Sequence, residues 1–204
     1  MARASFAKLI RPAVVFTLAL IVITGGLYPA VVTGAARALF PAQADGSLIE
    51  RDGKVVGSAL IGQSFTDSGY FHGRPSAAGA GYDATASAGT NKGPTDRKLA
   101  DTLIAGAVAN AVEQDGAVKG AVPADYATAS ASGLDPDISP ATALVQVARV
   151  ARVRHASPDA IRDFVQQHIT ARQFGVLGEP RVNVLALNLD LDTKFPRNAG
   201  GVQK

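Results

Sequence analysis

Apolar and polar positions divide this chain into two unlike parts. Across residues 12–36 (PAVVFTLALIVITGGLYPAVVTGAA) no charged side chain interrupts about 25 residues, enough helix to cross a bilayer with some tilt. Val14, Val15, Phe16, Leu18, Leu20, Ile21, Val22, Ile23 and Leu27 each favour insertion, together by roughly 3–5 kcal/mol with no charge opposing. Gly25, Gly26 and Pro29 weaken the helix toward its far end and predict a bend. Gly26, Ala30, Gly34 and Ala38 recur at every fourth position, a small-residue strip on which another helix can pack closely.

Beyond Phe40 the periodicities are those of a folded domain. Residues 47–51 and 54–61 flank Asp52-Gly53, which predicts a hairpin with a type I′ turn and a bulge at Gly57. Residues 62–95 are rich in Gly, Ser and Ala, with Phe65, Tyr70, Phe71 and Tyr82 as isolated anchors. A loop so long in a compact domain is more often functional or ordered by a partner than idle, although its composition also suits a flexible insertion. Thr95 or Asp96 caps an amphipathic helix carrying Leu99, Leu103, Ile104, Ala107, Val108, Ala111 and Val112, which ends near Asp115-Gly116. A short strand at 124–130 leads into a second small-residue loop, TASASGLDPDISP.

Ser139-Pro140 and Ser157-Pro158 each place a cap before a proline that starts a helix. The first helix carries Leu144, Val145, Ala148 and Ala151 on one face; the second carries Ile161, Phe164, Val165 and Ile169. Residues 182–187 read as a strand, continued by the alternation of Leu189 and Leu191 with Asn188, Asp190 and Asp192 or followed there by a short helix. The tail 197–204 reads as disordered. The predicted class is α+β: a single N-terminal transmembrane helix followed by one mixed α/β soluble domain, without repeats or regular βαβ alternation.

Charge sets the expected topology. Arg3, Lys8 and Arg11 precede the span, whereas only Arg37 is basic just after it, with acidic Asp45 beyond. The positive-inside bias keeps residues 1–11 in the cytoplasm, and residues 37–46 form a tether to a periplasmic domain at 47–196. Gly34, Ala35, Ala36 and Ala38 would also suit cleavage of a signal peptide. The apolar run exceeds the usual signal-peptide core of about 7–15 residues, however, which favours a retained anchor.

Composition narrows the chemistry. Of 204 residues, 47% are hydrophobic and only 6% aromatic, so a Val/Leu/Ile/Ala core is expected in the one ordinary domain that remains after the anchor. A net charge of +3 without basic–aromatic runs argues against nucleic acid. The absence of cysteine removes disulfides, thiolate metal sites and thiol catalysis together.

Motifs are sparse. Gly79-x-Gly81-x-x-Ala84 follows no buried strand, and the 89–95 stretch lacks P-loop spacing. Ser130 and Ser132 sit in SASG rather than a nucleophile elbow, and of the histidines His72, His155 and His168, His155 in a basic inter-helix turn and His168 in a polar stretch of helix read as surface residues. Asp135 with Asp137, and Asp190 with Asp192, are better explained by turns and solvated faces than by a cation. Arg149, Arg152 and Arg154 read as a basic helix end. The residues alone describe a membrane-anchored binding or assembly module without a catalytic centre.

Longer motifs add a family. Leu60-Ile61-Gly62-Gln63, Tyr70-Phe71-x-x-Arg74-Pro75-Ser76-Ala77, Tyr82-Asp83-Ala84 and Ser87-x-Gly89-x-Asn91-x-Gly93-Pro94-Thr95 resemble the C subunit of the bacterial Kdp potassium-transporting ATPase. Thr128-Ala129-Ser130-x-Ser132-Gly133-Leu134-Asp135-Pro136 with Ile138-Ser139-Pro140, and the segment from Gly178 to Asn188, extend the resemblance. Ala88, Ala131 and Asp137 depart from the family pattern, which tends to have Gly, Gly and His there.

The resemblance implies a non-catalytic inner-membrane subunit, partnered by a channel-like potassium-binding subunit and a P-type ATPase subunit. Its implied role is to stabilise the complex and, as a catalytic chaperone, to raise the pump's affinity for ATP. ATP, Mg and potassium then act in the complex, and no cofactor is assigned to this chain. The implied partner-binding residues are Gln63, Phe71, Arg74, Pro75, Ser76, Ser87, Asn91, Gly93, Pro94, Thr95, Ser130, Ser132, Gly133, Asp135 and Pro136, with Gly26, Ala30 and Gly34 packing in the membrane. Two rivals are a nucleotide-binding chaperone facing the cytoplasm, with the Ser87-to-Asn91 stretch as a signature, and a periplasmic hydrolase released by signal cleavage. The charge flanks argue against the first.

Overall fold

The computed structural model describes residues 6–197 and divides the chain into two compact units, Met1–Leu48 and Ile49–Lys204. In the first, α1 (Phe6–Val22) and α2 (Tyr28–Leu39) are joined by a π-helical turn at Ile23–Leu27. Together they include an apolar helix, Lys8–Leu39, long enough to span a membrane and with no residue buried within the chain. The expected bend is met by a wider turn rather than a break: the Tyr28 N–H bonds Ile23 O, five residues back. Pro29 has no N–H and its ring would press on the carbonyl four residues back, which an extra residue in the turn relieves. The helix runs three residues past the predicted end, and α3 (Pro41–Ala44) occupies much of the expected tether at 37–46. Phe40, before Pro41, leaves the helical region at φ −139° and ψ 61°, as the clash with the following proline ring dictates.

The hairpin β1 (Leu48–Arg51) and β2 (Lys54–Ser58) begins at the boundary between the units and lies, apart from Leu48, in the second. Asp52 and Gly53 have φ of 52° and 73°, the left-handed pair expected of a type I′ turn. β2 stops three residues short of the expected 61, where Ser58 Oγ accepts the Leu60 N–H. Gly57 marks a close approach: a Cβ there would meet Gln63 Nε2 at 1.9 Å and Leu185 Cδ2 at 2.8 Å.

A π-helical segment (Lys98–Ile104) runs into α4 (Ala105–Asp115). Asp96 Oδ1 accepts the N–H groups of Lys98 and Leu99 at its start, and Gly116 ends it at φ 69°. The strand expected at 124–130 is instead the short α5 (Ala124–Ala127). Asp125 is drawn inward, where its carboxylate accepts hydrogen bonds from Ser139 N, Ser139 Oγ and Thr142 Oγ1 at 2.7–2.9 Å.

β3 (Asp137–Ile138) precedes α6 (Pro140–Arg154) and α7 (Pro158–Gln167), whose serine caps accept Thr142 N and Ala160 N as expected. The α6 face is rotated from its predicted phase. Ala143, Val147, Val150 and Ala151 are buried, whereas Leu144 and Ala148 are exposed. The expected strand 182–187 is also replaced. β5 (Arg181–Asn183) ends where Asn183 caps α8 (Val184–Lys194) by accepting the Ala186 N–H. β5 is the middle strand of an antiparallel sheet, with Val182 opposite both Ile138 of β3 and Ile169 of β4 (Ile169–Thr170). The core joins this sheet to α6, α7 and α8 through Phe71, Ile138, Val150, Ile161, Phe164 and Leu187.

At the start of the expected disordered tail, Arg197 is bonded to Asp67 at 2.7 Å; residues 198–204 lie outside the described residues.

The helical register of α8 separates its leucines. Leu187 and Leu191 are fully buried and Leu189 only half so. Leu187→Ala should cost about 2–5 kcal/mol and Leu189→Ala markedly less. Thermal unfolding of the full chain in detergent reads the difference, and equal losses would restore the strand.

Candidate functional site

The two small-residue loops meet on one side of the domain, and their order originates in α6. This helix turns Gln146, Arg149 and Arg154 inward, and all three are buried. Arg149 Nη1 donates to Ser68 O at 2.6 Å and Tyr70 O at 2.8 Å, Nη2 to Gln146 Oε1 at 2.7 Å, and Nε to Asp115 Oδ1 at 2.7 Å. Asp115, at the end of α4, also accepts the Tyr126 hydroxyl at 2.6 Å. Arg154 Nε reaches Gly69 O at 2.8 Å, and its Nη2 lies 2.8 Å from Asp192 Oδ1 as an ion pair without hydrogen-bond alignment.

Two carboxamides complete the support. Asn188 accepts the Phe71 N–H and donates to Phe71 O, both at 2.9 Å. Gln146 does the same for His72, at 2.7 and 3.0 Å. Side chains therefore stand where neighbouring strands would, and the backbone polar groups from the Ser68 carbonyl to the His72 carbonyl are paired without secondary structure. The Phe71 ring can then enter the core fully buried.

These contacts revise the expectation for Arg149 and Arg154, which brace the loop from inside rather than decorate a helix end. The signal in the sequence is a glutamine and two arginines spaced with the buried Val147, Val150 and Ala151 of the same helix.

The braced segment leads into the contact between the loops. Arg74 Nη1 pairs with Asp135 at 2.8 Å, while its other nitrogens donate to Thr128 O and Ala129 O. Ser76 Oγ donates to Gly133 O at 2.6 Å and accepts the N–H groups of Ala78 and Tyr82. The Tyr82 hydroxyl donates to Arg74 O at 2.6 Å. Further along, Ser87 Oγ and Ala88 N both donate to Ser132 O, and Gly62 N donates to Leu134 O. Gly133 sits at φ 67°, and a Cβ there would lie 2.6 Å from Ala88 O and 2.7 Å from Ala78 N. Glycine is required at that crossing both for its backbone angle and for the space.

Electrostatics follow burial. The Tyr82 hydroxyl is pushed up to about 12 by desolvation, and Tyr126 is also raised, by desolvation and its bond to Asp115. Desolvation, with the Arg149 charge, lowers His72 and favours its neutral form. Burial raises Asp137 despite its bond to Asn183 and the Arg181 charge.

Of the implied contact residues, Phe71, Ser130 and Gly133 are buried within the chain and shape the loops from beneath. Gln63, Arg74, Pro75, Ser76, Asp135 and Pro136 are half-buried; all but Pro75 hold the loops or the hairpin through hydrogen bonds. Ser87, Asn91, Gly93, Pro94, Thr95 and Ser132 are exposed and form the outer surface of the joined loops. Gly26, Ala30 and Gly34 are exposed on the apolar helix.

A cleft of about 400 Å³ beside this surface is lined by Pro75, Gly89, Thr90, Lys98, Leu103 and Thr128, among others. Among the described residues no three His, Cys, Asp or Glu side chains are grouped to hold a metal. Asp135 and Asp137 pair with Arg74 and Arg181, Asp192 with Arg154, and Asp190 with His168. Ser130 Oγ accepts the Gly133 N–H. Asn91, at φ 52°, is one of the few non-glycine residues in the left-handed region, which asparagine tolerates.

Residues 10–193 match the family model described as "KdpC: K+-transporting ATPase, c chain". The chain is 65% identical over 185 residues to the potassium-transporting ATPase KdpC subunit of Gemmatimonas aurantiaca, covering 90% of this chain and 92% of that one. It is 55% identical to the KdpC subunit of Acidobacterium capsulatum over 183 residues, covering 90% and 97% of the two chains. The KdpC subunit of Myxococcus xanthus is also 55% identical, over 185 residues that cover 89% and 87%.

Arg149 cannot be exchanged for another cation, because its fork serves a carboxylate, a carboxamide and two carbonyls at once. Arg149→Lys keeps the charge but brings three donors to four acceptors without the planar fork, so it should cost about 1–3 kcal/mol for each acceptor left unpaired. It should also expose the 62–95 loop to protease; an unchanged melting point and cleavage pattern would refute the bracing role.

Proposed function

The chain belongs to the KdpC family of potassium-transporting ATPase c chains, and we propose that within such an ATPase it is an outward-facing docking subunit. It stabilises the assembly and carries out no chemistry of its own. The observation that carries this reading is the locking of both small-residue loops into one surface, with Ser87, Asn91, Gly93, Pro94, Thr95 and Ser132 exposed upon it. A long loop that is internally braced yet presents mostly small residues, with Lys92 paired to Asp96, suits close contact with another protein backbone. Its partner is the external face of the channel-like, potassium-binding subunit, while Gly26, Ala30 and Gly34 pack against a helix in the membrane.

The charge flanks of the apolar helix support an N-terminus in the cytoplasm and a periplasmic domain. In that orientation the domain does not meet cytoplasmic ATP. Its effect on the pump's ATP affinity is then a coupling between distant sites, carried through the channel-like and ATPase subunits. The small size of the loop residues serves this role, because bulk at the contact would hold the subunits apart.

Gly93 offers a clean test, since a Cβ there meets nothing within 4 Å and its backbone angle is ordinary. Gly93→Trp should leave the melting point of the isolated chain unchanged and reduce co-purification of the other subunits at least tenfold. Undiminished co-purification would refute the docking surface. Orientation is tested by protease access: the domain should be cut in spheroplasts and protected in inverted vesicles. The reverse pattern would favour a chaperone that meets nucleotide directly.

A further inference from the structure

The connection between β4 and β5 carries an apolar tip that the docking surface does not use. Residues 173–178 read Gln-Phe-Gly-Val-Leu-Gly, and Phe174, Val176 and Leu177 are 85%, 71% and 57% exposed. Single exposed apolar residues are ordinary on a soluble domain, but three at one loop tip are a signal.

The backbone of the tip is turned in on itself. Gln173 N donates to Leu177 O and Leu177 N to Gln173 O, both at 2.9 Å. Gly175 N donates to Arg172 O at 3.1 Å and Val176 N to Gln173 O at 3.2 Å. Phe174 and Gly175 adopt φ of 53° and 77°, and a bulky aromatic at positive φ is an outlier. The strained Phe174 and the permissive Gly175 together close the turn and use these N–H groups within it. A medium that cannot accept hydrogen bonds requires such closure. Arg172 and Glu179 pair across the stem.

Three considerations point to lipid rather than to a protein socket. Side chains at 174–178 offer no hydrogen-bonding group, whereas protein interfaces carry about one hydrogen bond per 100–200 Å². The backbone donors at 173, 175, 176 and 177 are already used internally. The domain is also joined covalently to the apolar helix, since only residues 40–47, at most about 28 Å of chain, separate Leu39 from Leu48.

We propose that this tip is a second membrane contact, with Phe174, Val176 and Leu177 inserted among the outer ends of the acyl chains. The span anchors the chain, and the tip limits how the domain tilts over the surface. The inference rests on the apolar helix being a membrane anchor and is independent of the docking surface.

The chain contains no Trp and no Cys, so single reporters are unambiguous. In the full chain reconstituted into phosphatidylcholine liposomes, Phe174→Trp should give blue-shifted emission. Lipids brominated near the headgroup end of the acyl chains should quench it at least threefold more than Asp101→Trp, a reference on an exposed helical position. Val176→Trp, outside the left-handed region, repeats the measurement if the first chain folds poorly. Adding Phe174→Asp to the Val176→Trp chain should return quenching to the reference level. Equal quenching at the tip and at the reference position would overturn the proposal. So would a bimane label on Phe174→Cys that shifts blue only in the assembled complex and escapes lipid quenching, since that would place the tip on another subunit.

Discussion

The guanidinium of Arg149, buried among loop carbonyls, is the contact on which the two-loop half of this domain depends. A long segment without helix or strand has no ladder partners, and each unpaired buried peptide group would cost roughly 1–3 kcal/mol. Arg149 supplies donors for Ser68 and Tyr70, while Asn188 and Gln146 act as partial strands for Phe71 and His72. Its charge is tolerable because Asp115 pairs with it inside and Tyr126 binds the other carboxylate oxygen. Remove one member and the rest become unpaired polar groups in a low-dielectric interior. The arrangement therefore acts as a unit, linking α4, α5, α6 and the start of the first loop.

From that braced segment the chain reaches Arg74 and Ser76, which carry the order onward to the second loop. The joining is done largely by backbone, with few large side chains. Close approach of this kind needs glycine at the crossing, and Gly133 is the clearest instance because both its angle and its surroundings exclude a Cβ. What emerges is a surface of small residues supported from below by buried polar pairs. Such a surface gives little binding energy per residue, so the docking reading depends on shape and preorganisation rather than on aromatic anchors. The membrane contact inferred for Phe174 uses the opposite chemistry, apolar area without polar recognition, and the two surfaces place different demands on the same domain.

The membrane helix, the β1–β2 hairpin turn and the caps of α6 and α7 were legible from local rules. Absence of charge over a bilayer's length, left-handed turn residues at Asp52-Gly53, and Ser-Pro pairs each act within a few residues of one another. The two loops were also recognisable as unusual, and their longer motifs carried the family resemblance. Their mutual contact was not legible, because Arg74 and Asp135 are 61 residues apart and neither periodicity nor composition encodes such a pairing.

Where expectation and structure part, long-range polar contacts decided the matter. The apolar letters of α6 fit more than one helical phase; loop carbonyls needing donors select the one that buries Gln146, Arg149 and Arg154. Residues 182–187 read as a strand, and 188–192 suit either its continuation or a short helix; Asn183 caps a helix and Asn188 must face Phe71, so the helix is chosen and starts already at Val184. Residues 124–127 turn helical as Asp125 bonds the start of α6. The sequence by itself determined the anchor, the local starts and stops, and the kinship, since these depend on hydropathy and neighbouring residues. Only the tertiary structure decided which polar side chains go inside, because that depends on backbone groups brought from elsewhere in the chain.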